Sequence, residues 1–268
     1  MRLAVLAGNR LFPLEFIKRA KAKENIEIVA IAFRGETNPL VERLADKTYW
    51  IEAADLEGLI SILKKEKVKD CVMVGQITPR RIFRKGNWEE FIKKLTKDID
   101  WRPHSIFGRI VEFLEREGFR FLDSTVFMQD CLAEEGMMNN VKLEKETEED
   151  IQFGVKIASY FSELDIGQTI VVKKKAVVAC EALEGTDNTI RRAYRLAGGN
   201  LVVVKFAKKD QDLRFDVPVV GLKTISVLKK RVKALVLEKK KVIILKKNKF
   251  LKETEKRGIA VIGKERMN

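Results

Sequence analysis

The chain has 268 residues, 46% hydrophobic and 34% charged, a composition typical of a globular protein long enough for two domains. Its formal net charge of +14 favours anionic partners such as nucleotides, nucleic acid or an acidic membrane surface. Three isolated cysteines without a C-x-x-C pair argue against a disulfide framework and a zinc site, and no apolar run approaches a membrane span.

These features indicate a protein of a reducing, cytoplasmic compartment. The one histidine, His104, precedes a helical pattern, where a capping or surface role is more common than catalysis. A catalytic arrangement of the Ser-His-Asp or Cys-His kind would have to use this histidine. If the protein is an enzyme, we therefore expect carboxylates to carry its proton or metal chemistry.

The first half alternates short apolar runs with helical patterns, which predicts a parallel sheet with right-handed crossovers. The predicted strands are Arg2–Ala7, Ile26–Phe33, Tyr49–Ile51, Asp70–Val74 and Phe119–Leu122. The predicted helices start near Pro13 and cover Leu40–Ala45, Leu56–Lys65, Trp88–Leu95 and Ile106–Arg116. The fold class is α/β, and a doubly wound strand order would place the first and fourth strands side by side.

Gly8 and Gly75 each follow one of these two strands, so we expect them to be neighbours at the crevice where such sheets bind ligands. Glycine lets a ligand approach the backbone, and the helix after Gly8 would offer its positive end to a phosphate. The alternative is that both glycines end strands for steric reasons. Arg10 occupies the place of a second glycine, so the dinucleotide fingerprint G-x-G-x-x-G is missing.

The pattern breaks between Glu134 and Asp150, which predicts domains at 1–133 and 151–268 joined by a linker at 134–150. The second domain is predicted to be mixed α and β. Its predicted helices begin near Ile151 and cover Thr189–Leu196, Thr224–Val232 and Phe250–Arg257. Its predicted strands are Gln168–Lys173, Ala176–Ala182, Asn200–Phe206, Ala234–Leu237, Val242–Leu245 and Ile259–Ile262, the first two forming a hairpin.

Two acidic clusters stand out in this half. The first is E-A-L-E-G-T-D, in which Glu181 continues an apolar strand and needs a buried partner, while Thr186 or Asp187 is suited to cap the following helix. The second is Asp210–Gly221, for which we predict an extended strand carrying Asp210, Asp212, Arg214 and Asp216 on one face. Like charges so close favour a hard cation such as Mg²⁺, although a solvated strand face is the simpler alternative.

Fourteen basic residues and three acidic ones lie between Gly221 and Arg257. This segment suits anionic lipid head groups. The positive charge also makes a nucleic-acid-binding module an alternative function, but aromatic residues are almost absent here and a stacking platform is therefore not predicted. A third alternative is a nucleotide-sensing protein without turnover.

Several segments together resemble one family. They are L-A-G-N-R-L-F-P-L-E-F near the start, V-G-Q-I-T-P-R, E-R-E-G-F, D-I-G-Q, E-A-L-E-G-T-D and Q-D-L-R-F-D-V-P-V-V-G. In this order they resemble the UDP-2,3-diacylglucosamine pyrophosphatases of lipid A biosynthesis that are unrelated to calcineurin-type phosphoesterases.

The resemblance implies hydrolysis of UDP-2,3-diacylglucosamine to UMP and 2,3-diacylglucosamine 1-phosphate with Mg²⁺ or Mn²⁺. It also implies a Rossmann-like N-terminal domain and a distinct C-terminal domain, with substrate between them. The essential aspartate is carried over to Asp216, and we expect Asp216, Glu184 and Asp187 to bind the metal. The expected substrate-binding residues are Gly8, Asn9, Arg10, Gly75, Gln168, Glu181, Gly185, Thr186 and Arg214.

The expected partners are this lipid-linked UDP-sugar and, peripherally, an anionic membrane. We expect no nucleic-acid partner, and a homodimer is left open beside a monomer.

Overall fold

A computed structural model of the protein describes residues 1–23, 25–78, 103–228 and 232–267. The helix predicted at 88–95 lies outside these residues, as do residues 229–231 of the basic segment. The described chain forms two compact units. Unit 1 comprises Met1–Met128 and Asp212–Asp216, and unit 2 comprises Gln129–Gln211 and Val217–Asn268.

Unit 1 is built on a five-stranded parallel sheet of order β3-β2-β1-β4-β5. Its strands are β1 (Arg2–Ala7), β2 (Glu27–Phe33), β3 (Lys47–Ile51), β4 (Asp70–Val74) and β5 (Arg120–Leu122). The strands with long apolar runs are almost wholly buried, as expected for a parallel sheet covered on both faces. The predicted pairing of the first and fourth strands is confirmed, with Ala7 opposite Val74.

The helices of unit 1 follow the apolar spacing of the sequence. They are α1 (Phe12–Lys21), α2 (Leu56–Lys65) and α3 (Pro103–Arg116), with a 3₁₀ turn at Pro39–Arg43. In α2, Leu59 and Leu63 are buried one turn apart, and the Asp55 carboxylate caps the helix by accepting from Gly58 N at 2.8 Å. After α3 the chain turns at Gly118, whose φ of 93° favours glycine.

Unit 2 contains a six-stranded mixed sheet of order β6-β13-β11-β9-β7-β8 and a two-stranded parallel pair, β10-β12. Strands β9, β11 and β13 are parallel to one another, whereas β7 and β8 form the predicted antiparallel hairpin. The bounds are β6 (Gly136–Met137), β7 (Thr169–Lys173), β8 (Ala176–Cys180), β9 (Leu201–Lys205), β10 (Val219–Val220), β11 (Val232–Glu238), β12 (Ile243–Ile244) and β13 (Ala260–Lys264).

Helices cover both faces of the large sheet. They are α4 (Lys145–Phe161), α5 (Thr186–Ala197), α6 (Leu222–Leu228) and α7 (Lys247–Glu255). One apolar cluster joins α4 to alternate residues of β7, β9 and β11, and a second joins α5, α6 and α7 to the opposite residues of the same strands. The predicted α/β class, with a parallel first unit and a mixed second unit, is confirmed. The interval predicted as a linker, 134–150, contains β6 and the start of α4.

Across the described ranges, no helix combines the length and the apolar character needed to span a bilayer.

Candidate functional site

The carboxyl ends of β1 and β4 meet at Gly8 and Gly75. Gly8 N donates to Val74 O and Asn9 N donates to Gln76 O, each at 2.8 Å. A Cβ on Gly8 would lie 2.5 Å from Gln76 N, and a Cβ on Gly75, whose φ is 92°, would lie 2.8 Å from Asn9 O. The two loops therefore touch backbone to backbone, which explains both glycines sterically, as the alternative interpretation had it.

Beyond these glycines a small polar network links the two loops. Asn9 Nδ2 donates to Glu36 Oε2 at 2.8 Å and contacts Thr78 Oγ1 at 3.1 Å, and the Thr78 hydroxyl donates to Glu36 at 2.9 Å. Arg10 is exposed and left-handed, with φ 69°. Asn9 Oδ1 is buried, and among the described residues it has no hydrogen-bond partner. The network presents amide and hydroxyl groups at the strand ends, where nucleotide-binding sheets hold their ligands.

The extended strand predicted for Asp210–Gly221 is wrong, because only Val219–Val220 is a strand. The Asp212 carboxylate accepts from Arg214 N at 3.0 Å, and Asp216 N donates to Asp212 O at 2.9 Å. A side chain that bonds its own backbone two residues on closes a turn and competes with strand pairing. The charged side chains at 210, 212, 214 and 216 therefore do not form the predicted row along one strand face.

Arg214 fixes this turn to unit 1. Its guanidinium donates to both oxygens of Asp212 at 2.7–3.1 Å and to both oxygens of Glu115, on α3, at 2.9 Å. Ser124 N donates to Leu213 O at 2.8 Å, and the Ser124 hydroxyl donates to Met73 O at 2.5 Å. Arg214 thus binds carboxylates of the protein itself and connects the segments E-R-E-G-F and R-F-D.

The charges of this turn are mutually stabilised. Hydrogen bonds to Asp212 raise the pKa of Arg214 above its ordinary value, against a smaller opposing effect of burial. Burial alone would raise the pKa of Asp212, but the hydrogen bonds from Arg214 outweigh it and lower that pKa. Asp216 follows this pair at the end of the turn and is half-buried. The predicted catalytic aspartate thus follows a turn that is hydrogen-bonded to unit 1.

Unit 2 brings together four predicted residues at one end of its large sheet. Glu181 follows β8, Gln168 precedes β7, and Gly185 and Thr186 open α5. A Cβ on Gly167 would lie 2.1 Å from the Glu181 carbonyl oxygen, so glycine is required where these two loops meet. The Glu181 side chain is 12% exposed and, as predicted, has a partner.

A polar cluster forms there around Thr186, and Lys205, the last residue of β9, completes it. The Thr186 hydroxyl lies 3.1 Å from both oxygens of Glu181, 2.8 Å from Lys205 Nζ and 3.1 Å from Thr169 Oγ1. Lys205 is 4% exposed, and its Nζ lies 4.0 Å from Glu181 Oε2. We call Glu181, Thr186, Lys205, Thr169 and Gln168 the unit 2 cluster.

Sequence reasoning missed Lys205 and Thr169. The available signal for Lys205 is a lone lysine after the apolar run L-V-V-V, inside the strand predicted at Asn200–Phe206. Its chemistry follows from the fold, because only the sheet order places the end of β9 beside the start of α5.

The predicted capping of α5 is wrong. The helix begins three residues earlier than predicted, its N-cap is Gly185 with φ 80°, and none of the described side chains caps it. Thr186 lies in the first turn and is directed to Glu181 instead. Gly185 suits the cap because its positive φ would strain other residues.

The predicted metal ligands are placed as follows. Glu184 accepts from Arg192 at 2.7 Å and from Ala182 N at 2.9 Å. Burial opposes its ionisation, but these hydrogen bonds prevail and lower its pKa. Asp187 lies in the first turn of α5. Asp216 belongs to unit 1, and Glu184 and Asp187 belong to unit 2, so their joint metal site stays a prediction.

In the part of the chain that the structure describes, no three His, Cys, Asp or Glu side chains come close enough to hold a metal ion. The described residues of either unit alone therefore do not fit a divalent-metal site, which needs several oxygen ligands.

The fold and its sites define a class: a two-unit α/β protein with polar side chains gathered at the ends of parallel strands in each unit. Family comparison agrees with the motifs. The model of the LpxI N-terminal domain matches residues 2–131, and that of the LpxI C-terminal domain matches residues 134–262. The chain belongs to the LpxI family, which confirms the resemblance seen in the sequence.

A curated relative is the UDP-2,3-diacylglucosamine pyrophosphatase LpxI of Caulobacter vibrioides, 28% identical over 171 residues. The match covers 59% of this chain and 60% of that protein, so it spans about three fifths of the relative's length.

Similar solved structures include a glycinamide-RNase-transformylase T of Mycobacterium tuberculosis, with 17% identity and a TM-score of 0.24 over 28% of this chain and 22% of that one. Another is the biotin carboxylase domain of a Hydrogenobacter thermophilus 2-oxoglutarate carboxylase, with 14% identity and a TM-score of 0.29 over 73% and 41%. No functional argument follows from similarities this low.

Proposed function

We propose that the protein hydrolyses the diphosphate of UDP-2,3-diacylglucosamine to UMP and 2,3-diacylglucosamine 1-phosphate, in the cytoplasm, as a step of lipid A biosynthesis. The observation that carries the proposal is the match of both LpxI domains, in order, along the chain. The named activity of the Caulobacter vibrioides relative points to the same substrate.

The described side chains suit this chemistry. Diphosphate hydrolysis needs an oriented water and positive charge near the phosphate oxygens. Glu181, largely buried and hydrogen-bonded to Thr186, has the character of a group that orients and deprotonates water. Lys205 lies beside this carboxylate and donates to Thr186. Asp216, at the end of a turn fixed by Arg214, is the proposed essential carboxylate of unit 1.

Exposed apolar residues beside the unit 2 cluster favour a lipid-linked substrate. Leu164, Ile166 and Leu183 are 64%, 51% and 64% exposed. Ile166 adjoins Gly167, which touches the Glu181 carbonyl, and Leu183 follows Glu181 by two residues. Apolar side chains around a polar site can make hydrophobic contacts with acyl chains, which are unfavourably exposed in water.

A dependence on Mg²⁺ or Mn²⁺ is part of the proposal only through the resemblance. The test is the activity after chelation. Protein treated with EDTA and then gel-filtered is expected to lose UMP release and to regain it with Mg²⁺ or Mn²⁺. Undiminished turnover in excess EDTA would remove the metal from the proposal.

An anionic membrane surface is the proposed peripheral partner, supported by the net charge of +14. Binding to vesicles containing phosphatidylglycerol is expected to exceed binding to neutral phosphatidylcholine vesicles and to weaken with salt. Equal binding to both vesicles would contradict this partner. No nucleic-acid partner is proposed, and salt-dependent retention of DNA or RNA in a gel-shift assay would contradict that expectation.

The activity itself is tested with UDP-2,3-diacylglucosamine and chromatographic detection of UMP. Wild-type protein should release UMP, and Asp216→Asn should reduce the rate by roughly 100-fold or more, the range of lost acid–base groups. Asp210→Asn is the matched control, because this exposed aspartate lies in the same segment. It should retain activity within about twofold, as surface substitutions do. No UMP from wild type, or equal release from both variants, would contradict the proposal.

A further inference from the structure

Lys205 is a buried lysine at the end of an apolar strand, and its amino group lies within the polar unit 2 cluster. It ends β9, every residue of which is buried, and its side chain is 5% exposed. Burying an ammonium costs stability unless hydrogen bonds and a counter-charge compensate. Among the residues that the structure describes, its three N–H groups have one short contact, Thr186 Oγ1 at 2.8 Å, while Gln168 Oε1 lies at 3.5 Å and Glu181 Oε2 at 4.0 Å. Such partial compensation favours a functional role over a stabilising one.

The hydrogen-bond directions in the cluster follow from chemistry. An ammonium only donates, and an ionised carboxylate only accepts. Lys205 therefore donates to the Thr186 hydroxyl, and that hydroxyl spends its single proton on Glu181. Thr169, fully buried and 3.1 Å away, must then donate to Thr186. The Thr186 hydroxyl has no proton left for a ligand.

We propose that Lys205 is a positioning residue that acts through Thr186 to hold the Glu181 carboxylate in its reactive orientation. The inference rests on the proposed diphosphate hydrolysis. It also reassigns Thr186, which the resemblance made a substrate-binding residue, to the support of Glu181.

The surrounding backbone supports this assignment. Gly167 abuts the Glu181 carbonyl, and Glu181 N donates to Thr169 O at 2.8 Å, so the main chain of Glu181 is fixed. What remains free is the rotation of its side chain, which Thr186 and Lys205 restrict from one side. Preorganised groups of this kind accelerate a reaction because no reorientation is needed at the transition state.

The experiment compares kcat and KM for UDP-2,3-diacylglucosamine in five variants. Lys205→Met removes the charge at similar length, Thr186→Val removes the hydroxyl at similar volume, and Thr186→Ser restores it. The fourth is the double variant of Lys205→Met with Thr186→Val. Lys247→Met is the control, because Lys247 is also largely buried in unit 2 but contacts Leu132 O and Glu134.

We expect Lys205→Met and Thr186→Val each to lower kcat about 10- to 100-fold, the cost of a misplaced reactive group, with KM changed less than about threefold. Thr186→Ser and Lys247→Met should stay near wild type. The double variant should be no worse than Lys205→Met, because both changes break one chain of contacts.

Three results would overturn the inference while leaving the proposed function in place: unchanged kcat in Lys205→Met, a loss confined to KM, or multiplying losses in the double variant. If Lys205→Met does not fold, the Thr186 pair decides, and equal kcat for Thr186→Val and wild type overturns the inference. No UMP from wild type removes the proposed function, and the inference falls with it.

Discussion

At the scale of single residues, Arg214 connects the acidic turn to the rest of unit 1. Its side chain is 30% exposed and engages the carboxylates of Asp212 and Glu115 in paired hydrogen bonds. Bidentate bonds between arginine and carboxylate are among the stronger polar contacts in proteins. This guanidinium therefore joins the turn that precedes Asp216 to α3, beside the main-chain bond from Ser124 N to Leu213 O.

We expect Arg214→Met to destabilise unit 1 by about 1–3 kcal/mol, the usual worth of charge-assisted hydrogen bonds. Urea unfolding measures the change. The control is Arg109→Met, since Arg109 forms an exposed pair with Glu112 on the same helix as Glu115. Exposed pairs contribute at most about 1 kcal/mol. Equal losses from both variants would mean that the turn is held without Arg214.

The same contact predicts a dependence on pH. The folded-state pKa of Asp212 is lowered, so the stability that its ionisation contributes is present above the unfolded pKa, about 4. That contribution is lost as the pH falls through the lowered folded value. The difference in unfolding free energy between wild type and Asp212→Asn should therefore shrink between pH 6 and pH 2.5. A constant difference across urea titrations in this range would contradict the assignment.

Sequence reasoning found part of the unit 2 cluster at this scale. It named Glu181, Thr186 and Gln168, because the motifs E-A-L-E-G-T-D and D-I-G-Q carry the family resemblance. Lys205 could not be predicted as a site residue, because its partners come from three other segments and the order of the strands in the sheet was not predictable. Side-chain chemistry is local in sequence only where one loop supplies all of it.

At the scale of elements, the close contact of two loops positions residues of the unit 2 cluster. Gly167 leads into β7, and Glu181 is the first residue after β8. No space for a Cβ remains between Gly167 and the Glu181 carbonyl. A backbone atom cannot move aside as a flexible side chain can. The position of Glu181 therefore depends on a hydrogen atom at position 167.

We expect Gly167→Ala to destabilise unit 2 by roughly 1–3 kcal/mol, the cost of overpacking, and to lower the proposed activity through displacement of Glu181. Gly108→Ala is the control, because its Cβ would lie 3.8 Å from Phe215 in ordinary contact, within α3. Alanine in a helix interior is favourable by up to about 1 kcal/mol. Thermal unfolding and UMP release of both variants test this, and an unaffected Gly167→Ala would contradict it.

Elements with continuous apolar runs were predictable. The bounds of β1, α2 and β4 follow from the sequence, because burial on both faces of a parallel sheet leaves a plain signal. The segment at 210–217 was not, because alternating residues suggested a strand while Asp212 bonds its own backbone. The local hydrogen bond of the Asp212 side chain therefore determined a turn there, although the alternating residues favoured a strand.

At the scale of the whole molecule, the two units do not correspond to two continuous stretches of chain. Residues Asp212–Asp216 belong to unit 1, although the chain on either side of them belongs to unit 2. Phe215, 9% exposed, is part of the unit 1 core and lies 5.3 Å from the ring of His104 and 6.4 Å from that of Phe107. The sequence around this segment does not show that it belongs to unit 1, because its membership depends on packing with residues distant in the chain.

This arrangement predicts which unit is destabilised when the side chain of Phe215 is removed. Phe215→Ala should destabilise unit 1 by about 3 kcal/mol or more, the range for large-to-small changes in a core. In hydrogen exchange followed by mass spectrometry, peptides of α3 and β5 should lose protection, since local stability follows the cooperative unit to which a residue belongs. Peptides of β7, β9 and β11 should keep theirs.

Phe250→Ala supplies the reciprocal control, because Phe250 is fully buried in the apolar cluster of unit 2 that contains α7. In this variant, the peptides that exchange hydrogen faster than in wild type should lie in unit 2, and those of α3 should be unchanged. If Phe215→Ala instead weakened protection around β9 while α3 stayed unchanged, Asp212–Asp216 would belong energetically to the unit that flanks it in sequence. The contacts of Arg214 and Phe215 with unit 1 would then not determine the stability of the turn before Asp216.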